Sequence, residues 1–257
     1  NTKEYLSNYL KSEYKEVLNS MKFIGITGTN GKTTSSFLTY QLLNKLGIKT
    51  AYIGTIGFYI DNTFKELENT TPEITDLYEI FLECFNKDVK VIVMEVSSQA
   101  ISYGRVDGLT YDIGCFTNLT QDHLDYHKTM ENYMNAKLEV FKNLRGEKLA
   151  IINKDDSSYR NFVLKENTNI LYGETSKDYK IENCKLNMAH SEFTVNFNKE
   201  KYNIYLPLPG KCNIHNYMNA FIIAINFGFD INTIVEKTKE LKSPDGRFEV
   251  FHYNNGT

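Results

Sequence analysis

Tryptophan is absent from these 257 residues, and neither sign of charge dominates them. Lys and Arg number 29 against 32 Asp and Glu, a formal net charge of −3. No basic excess therefore marks nucleic acid or an anionic membrane as the main partner. The missing tryptophan separates no function from another. Apolar runs are far too short to cross a bilayer, and no signal-peptide pattern opens the sequence. Cys84, Cys115, Cys184 and Cys212 are scattered with no C-x-x-C pair, so neither a zinc ribbon nor a redox motif is indicated. A reducing, cytoplasmic compartment is the expectation. Internal repeats and low-complexity segments are also lacking. What remains, 41% hydrophobic and 24% charged, is a soluble globular chain long enough for one large domain or two small ones.

The most informative stretch that is present runs from Gly25 to Thr34. Met21 to Ile26 is a short apolar run, and Phe37, Leu38, Leu42, Leu43 and Leu46 recur afterwards at helical spacing. A strand thus feeds the turn Gly28-Thr29-Asn30-Gly31-Lys32-Thr33-Thr34, and the turn opens a helix. In that arrangement backbone N–H groups converge on an anion and the lysine adds positive charge. The expectation is a phosphate cradle for a nucleoside triphosphate. The loop is a variant: the general pattern wants glycine at position 26, where this sequence has Ile26, and the glycine stands at Gly28 instead.

From Met21 to Asn153, apolar segments (Lys22–Thr27, Lys49–Ile53, Lys90–Val96, Tyr111–Phe116, Lys148–Ile152) alternate with helical ones (Lys32–Leu46, Glu73–Asn86, Met130–Leu144). This predicts right-handed βαβ units: an α/β fold with a mostly parallel, P-loop-type sheet flanked by helices. Asp178–Asn203 alternates polar and apolar residues and predicts a small added antiparallel sheet. Helices over Asn213–Phe227 and Ile231–Leu241 and a strand over Arg247–Tyr253 complete the expectation. Residues 1–20, which begin without Met, read as an amphipathic connector remnant of a longer protein, and residues 21–257 as one domain. Ligands of open parallel sheets sit beyond the carboxyl ends of the strands, which directs attention to Thr27–Thr34, Glu95–Ser98 and Thr117–His127.

Glu95 closes the apolar run Val91-Ile92-Val93-Met94, where a carboxylate beside a phosphate loop is placed to hold Mg²⁺ directly or through water. Two histidines and two aspartates crowd into Thr120–His127, a group able to ligate a metal or orient a reacting group. Their spacing does not choose between His123 and His127. Lys137 falls on the apolar stripe of its helix, between Met134 and Phe141. A lysine there must snorkel, pair or lose its charge, and the last course leaves an amine open to modification. Thr71 and Pro72 read as an N-cap and first helical residue. Ser97, Ser98 and Arg105 add donors for an anionic substrate.

Taken in order, Gly28–Thr34, Asn69-Thr70-Thr71-Pro72, Met94–Ser98, Thr117–His127, Ala136-Lys137, Gly210–Asn216 and Gly246-Arg247-Phe248-Glu249 resemble the Mur ligases, most nearly those of the MurE type. The resemblance runs from about Lys22 to Val250. With a non-catalytic nucleotide- or precursor-binding module and another Mur-related ligase, such as a cyanophycin-synthetase-like enzyme, as the alternatives, it implies the central ATP-binding domain of an ATP-dependent amide-bond ligase of peptidoglycan precursor synthesis. Such an enzyme phosphorylates a carboxylate of UDP-N-acetylmuramoyl dipeptide and lets an amino acid, lysine or diaminopimelate, displace the phosphate. Monomeric, cytoplasmic action follows, with no nucleic acid or membrane partner. By the same resemblance Gly28, Thr29, Asn30, Gly31, Lys32, Thr33 and Thr34 hold ATP, with Lys32 on the phosphates. Thr33 and Glu95 serve a first Mg²⁺. His123 and a carbamylated Lys137 serve a second. Asn69, Thr70, Thr71, Ser97, Tyr103 and Arg105 meet the precursor, and Asn213, Asn216 and Arg247 the nucleotide. The sequence departs from many relatives at Gln99, Cys212 and Tyr103, which bears on local substrate contacts more than on the reaction. The family's domains that grip uridine and recruit the amino acid are not legible here.

Overall fold

The structure, a computed structural model, describes residues 2–61 and 63–247. Its strands are β1 (Lys22–Thr27), β2 (Thr50–Gly54), β3 (Gly57–Ile60), β4 (Thr63–Lys65), β5 (Val91–Glu95), β6 (Tyr111–Phe116), β7 (Leu144–Asn153), β8 (Thr168–Gly173), β9 (Tyr179–Leu186), β10 (Ser191–Phe197) and β11 (Glu200–Leu206). They join in one sheet, ordered β11-β10-β9-β8-β7-β6-β1-β5-β2-β3-β4. The run from β8 to β2 is parallel. Both ends turn antiparallel, through β3 and β4 on one side and β10 and β11 on the other. The helices are α1 (Thr2–Glu13), α2 (Lys15–Ser20), α3 (Lys32–Lys45), α4 (Ile74–Asn86), α5 (Ser98–Tyr103), α6 (Leu124–His127), α7 (Met130–Lys142), α8 (Tyr159–Phe162), α9 (Lys211–Asn226) and α10 (Ile231–Thr238).

Strand pleating sends alternate side chains to opposite faces, and the central strands are apolar on both. Ile92 and Met94 enter one core with Leu77 and Phe81 of α4 and Tyr133 and Phe141 of α7. Val91 and Val93 enter the other with Leu38 and Leu42 of α3 and Phe221 of α9. Burial on both faces explains why these strands read as continuous apolar runs. Gly25 lets the ring of Tyr111 lie against β1, since a Cβ there would stand 2.8 Å from Tyr111 Cδ1. Leu10, Val17 and Leu18 of the N-terminal helices belong to the first core. Arg145 ties α2 to the sheet by donating to Leu18 O at 3.2 Å and to Asp112 Oδ2 at 2.9 Å. No helix among the described residues is long and apolar enough to cross a membrane.

The sheet differs from expectation in several places. The hairpin β3–β4 was not signalled: its strands are short, and β4 is exposed throughout. The added antiparallel strands β9–β11 are present as expected, and they continue the main sheet through the parallel pairing of β9 with β8 at Tyr172 and Gly173. Helix α7 stops at Lys142, not Leu144, since Leu144 is already paired with Tyr111 as the start of β7. Helix α9 begins two residues before the expected Asn213, at Lys211. Thr71 and Pro72 do not open a helix: α4 starts at Ile74 after Glu73, which has no side-chain cap bond. The expected strand over Arg247–Tyr253 lies, after its first residue, outside the described residues.

Candidate functional site

Between β1 and α3 the loop turns its carbonyls onto Lys32 and onto side chains from α7 and the segment after β6. Gly28 O accepts from Lys32 Nζ at 3.0 Å and from Lys137 Nζ at 2.7 Å. Thr29 O accepts from Lys32 Nζ at 2.8 Å. Asn30 O accepts from Thr117 Oγ1 at 2.7 Å and Asn118 Nδ2 at 2.9 Å, while Asn30 N donates to Asn118 Oδ1 at 2.9 Å. The first intrahelical bond of α3 runs from Ser35 N to Gly31 O. The N–H groups of Lys32, Thr33 and Thr34 are therefore free of intrahelical partners and carry the positive end of the helix dipole. Two glycines are required. Gly28 lies at φ +149° with its α-carbon against Thr117, and a Cβ would fall 1.9 Å from Thr117 Oγ1. Gly31 lies at φ +85°, and a Cβ there would fall 2.2 Å from Asn216 Oδ1. Burial lowers the Lys32 pKa against the pull of Glu95 and Asp122, and the Arg247 charge adds to the lowering.

Glu95 ends β5 with its side chain fully buried. Its Oε1 accepts from Tyr52 Oη at 2.5 Å and Thr55 N at 2.8 Å. Its Oε2 accepts from Thr33 Oγ1 at 2.9 Å and Thr55 Oγ1 at 3.2 Å. These donors are hydroxyls and one amide, and none of them carries a charge. A buried carboxylate so arranged, facing the loop beside a threonine hydroxyl, fits a small hard cation that prefers oxygen. Among the described residues no group of three or more His, Cys, Asp or Glu could hold a metal by itself. That composition suits Mg²⁺, which takes one or two carboxylates and completes its shell with water and phosphate.

Lys137 is 1% exposed, so its chain does not snorkel. The ammonium sits behind the loop on Gly28 O and 4.4 Å from the centroid of the Tyr133 ring. Burial, and then the Lys32 charge, push its pKa well below 10.5. His123 opens α6 in the left-handed region, φ 52°, with its ring half-exposed and Nε2 3.5 Å from Asp122 Oδ2. It faces the same cleft as Glu95. Lys137 does not line that cleft: Thr33, Glu95 and His123 share it, while Lys137 bonds to the loop at Gly28 O. His127 turns inward instead. It is buried with Nε2 3.0 Å from Ser98 Oγ, and burial followed by the charge of Lys137 lowers its pKa.

The cleft in front of the loop has a volume of about 400 Å³. Asn69, Thr70, Thr71, Ser97, Arg105, His123 and Arg247 line it together with Thr29–Thr33 and Glu95. Thr71 Oγ1 donates to Glu95 O at 2.9 Å and accepts from Ser97 N at 3.2 Å. This bonding, rather than capping, is its structural role. Ser97 caps α5 by accepting from Ala100 N at 3.1 Å. Arg105 donates to Thr71 O at 3.2 Å and pairs with Glu73 Oε1 at 2.7 Å. Tyr103 is not in this cleft: it packs on Tyr126, ring centroids 5.2 Å apart.

A second cleft, about 680 Å³, opens on the other side of Asn30 and Gly31. Asn216 lines it. Asn213 does not, because it is buried and donates to Pro209 O at 2.8 Å. Asn118, Asn153, Asp155, Lys211 and His215 line it; none of them is assigned a role from sequence, although Asn118, Lys211 and His215 lie in stretches that carry the family resemblance. Asp155 Oδ2 lies 3.0 Å from His215 Nε2 and accepts from Glu174 N at 2.7 Å. The available signal was that Asn153–Asp156 follows the carboxyl end of β7, the position the parallel-sheet rule singles out.

Fold and cleft together define an α/β domain with a glycine-loop anion cradle at the carboxyl ends of its strands. Comparison with known proteins refines that class. The family model described as the Mur ligase middle domain matches residues 26–224. A UDP-N-acetylmuramoyl-L-alanyl-D-glutamate–2,6-diaminopimelate ligase of Clostridium botulinum is 42% identical over 255 residues, covering 97% of this chain and 51% of that protein. A solved structure of a ligase with the same description superposes with a TM-score of 0.85 at 28% identity, covering 98% of this chain and 52% of that one. MurF ligase from Thermotoga maritima, solved in complex with ADP, shares the fold at a TM-score of 0.72 and 18% identity, over 96% of this chain and 55% of that one. The chain belongs to the Mur ligase family. It spans about half the length of the curated relatives it matches.

Proposed function

We propose that this chain is the nucleotide-holding part of an ATP-dependent ligase that joins diaminopimelate to UDP-N-acetylmuramoyl-L-alanyl-D-glutamate in the cytoplasm. Residues 21–257 are assigned to the middle domain and residues 1–20 to a connector; the ligation itself belongs to the whole protein. In the reaction a carboxylate oxygen of the precursor attacks the terminal phosphorus of ATP and ADP leaves. The amine of the amino acid then attacks the acyl carbon, loses a proton and expels phosphate, leaving an amide.

The observation that carries this reading is the loop whose carbonyls are bonded by Lys32, Lys137, Thr117 and Asn118 while the N–H groups of Lys32, Thr33 and Thr34 remain for an anion. Lys32 exchanges its two carbonyls for phosphate oxygens. Asn216, beside Gly31, and Arg247, at the mouth, are assigned to the nucleotide. The location of Asn213 supports a part in orienting Asn216, whose Nδ2 donates to Asn213 Oδ1 at 3.4 Å. Thr33 and Glu95 would hold a magnesium ion, and His123 and Lys137 a second. Bound magnesium supplies positive charge for the phosphate oxygens as their negative charge shifts. The desolvated Lys137 amine is suited to add to CO₂ as a carbamate, releasing a proton. Asn69, Thr70, Thr71, Ser97 and Arg105 orient the precursor carboxylate towards the loop.

Calorimetric titration of ADP with Mg²⁺ into this chain tests the reading. Saturable binding, weakened roughly 30- to 150-fold by Lys32→Ala, is expected. Undetectable binding by the unmutated chain, or unchanged affinity in the variant, would overturn it.

A further inference from the structure

The two oxygens of Glu95 are not equivalent, and the difference comes from a residue outside the loop. Tyr52, in the middle of β2, is completely buried. Its ring is held edge-on by Phe37 and Tyr59, with centroids 5.5 Å and 5.9 Å away. From that packing Tyr52 Oη reaches Glu95 Oε1 at 2.5 Å, and Thr55 N reaches the same oxygen at 2.8 Å. The space around the contact is closed: a Cβ on Gly54 would lie 2.2 Å from Oε1 and 2.3 Å from Tyr52 Oη. A carboxylate oxygen has two in-plane lone pairs, and both on Oε1 are taken by donors that the sheet fixes. Oε2 meets only the hydroxyls of Thr33 and Thr55, which rotate freely and can turn their lone pairs to a cation.

We infer that Tyr52 is a positioning residue that confines Glu95 to one-oxygen coordination and so sets the site's preference for a small octahedral cation. The inference rests on the nucleotide-binding reading above. Mg²⁺ demands near-ideal octahedral geometry and is served by single-oxygen carboxylates, whereas Ca²⁺ accepts both oxygens of one carboxylate. A Glu95 free to offer both would lose that distinction.

The test uses this chain loaded with ADP, titrated with MgCl₂ or CaCl₂, with ADP affinity in EDTA measured alongside. Tyr52→Phe keeps the ring in its packing and removes only the donor. Tyr59→Phe is the control, since it removes a phenol from the same aromatic group without touching Glu95. For Tyr52→Phe, Mg²⁺ affinity should fall roughly 10–100-fold, the range for losing an outer partner of a metal ligand. Ca²⁺ affinity should fall less, and ADP affinity in EDTA should hold. Tyr59→Phe should leave the ratio of Mg²⁺ to Ca²⁺ affinity unchanged. An unaltered ratio in Tyr52→Phe, or an equal change in Tyr59→Phe, would overturn the assignment. If the unmutated chain binds ADP no better with Mg²⁺ than in EDTA, the metal reading of the cleft fails instead.

Discussion

Replacing Lys137 with Met should make the protein more stable while removing the residue proposed above to serve a second magnesium. The side chain is 1% exposed, and its ammonium meets Gly28 O, the Tyr133 ring, the charge of Lys32 and, as a smaller opposing influence, the charge of Asp122. Removing a donor from a buried carbonyl ordinarily leaves it unsatisfied, at about 1–3 kcal/mol. Here it does not, because Lys32 Nζ still donates to Gly28 O at 3.0 Å. Met fills a similar volume and adapts to an irregular space. The remaining effect is relief of a desolvated charge beside another cation. By analogy with buried ionic groups exchanged for apolar ones, the gain is about 1–3 kcal/mol. For a chain of this size that raises Tm by about 2–10 °C.

The pH dependence should change as well. With its pKa depressed when folded, Lys137 binds fewer protons in the folded than in the unfolded state between that depressed value and 10.5. Stability of the unmutated chain therefore climbs with pH across that interval, and the Met variant should lack this part of the climb. Urea unfolding at several pH values in CO₂-free buffer measures both quantities. A variant less stable than its parent, or one with the same pH slope, would refute the view of Lys137 as a charge held at a cost.

Three further outcomes are expected. Lys32→Ala should weaken ADP binding by about 2–3 kcal/mol, the value of hydrogen bonds to charged groups, or roughly 30- to 150-fold by calorimetry. Gly31→Ala should cost about 1–2 kcal/mol for left-handed backbone alone, read from thermal unfolding, and should displace Asn216, which stands 2.2 Å from the added methyl. Asp155 is pushed up by burial, but the bonds from His215, Glu174 and Thr175 outweigh that and hold its pKa below 3.8. Its stabilising effect is present above 3.8 and is lost as pH falls through the depressed value. Asp155→Asn should therefore lower stability by about 1 kcal/mol at neutral pH and show a shallower loss in acid titrations followed by circular dichroism.

Much of this architecture could be read from the sequence, because the parallel strands are buried on both faces. Val91-Ile92-Val93-Met94 has one reading only, and Glu95 after it stands out for the same reason. Lys137 stood out too, as a charge on an apolar stripe. Less legible were features made by distant residues. The Thr71 hydroxyl looked like a helix cap because local sequence favours that reading, yet its partners, Glu95 O and Ser97 N, come from the end of β5 and the start of α5. Asn213 and Asn216 are three residues apart on one helix and look alike in the sequence. Only packing decides that Asn213 ties back to Pro209 while Asn216 reaches Gly31. Tyr52 gave no signal at all, since a tyrosine in a strand is ordinary core material until its hydroxyl meets a carboxylate.

The inward-turned carbonyls have one more consequence. Apart from the two that Lys32 gives up, the bonds that fix the loop, from Lys137, Thr117 and Asn118, join protein to protein, so most of the conformational entropy of ordering it is spent when the chain folds rather than when an anion arrives. Binding at such a preorganised surface loses little further freedom. The cradle should present the same backbone to every phosphate-bearing ligand, so that ADP, ATP and inorganic pyrophosphate differ in affinity through their charges and their contacts with Lys32, and not through any remodelling of Gly28 to Thr34.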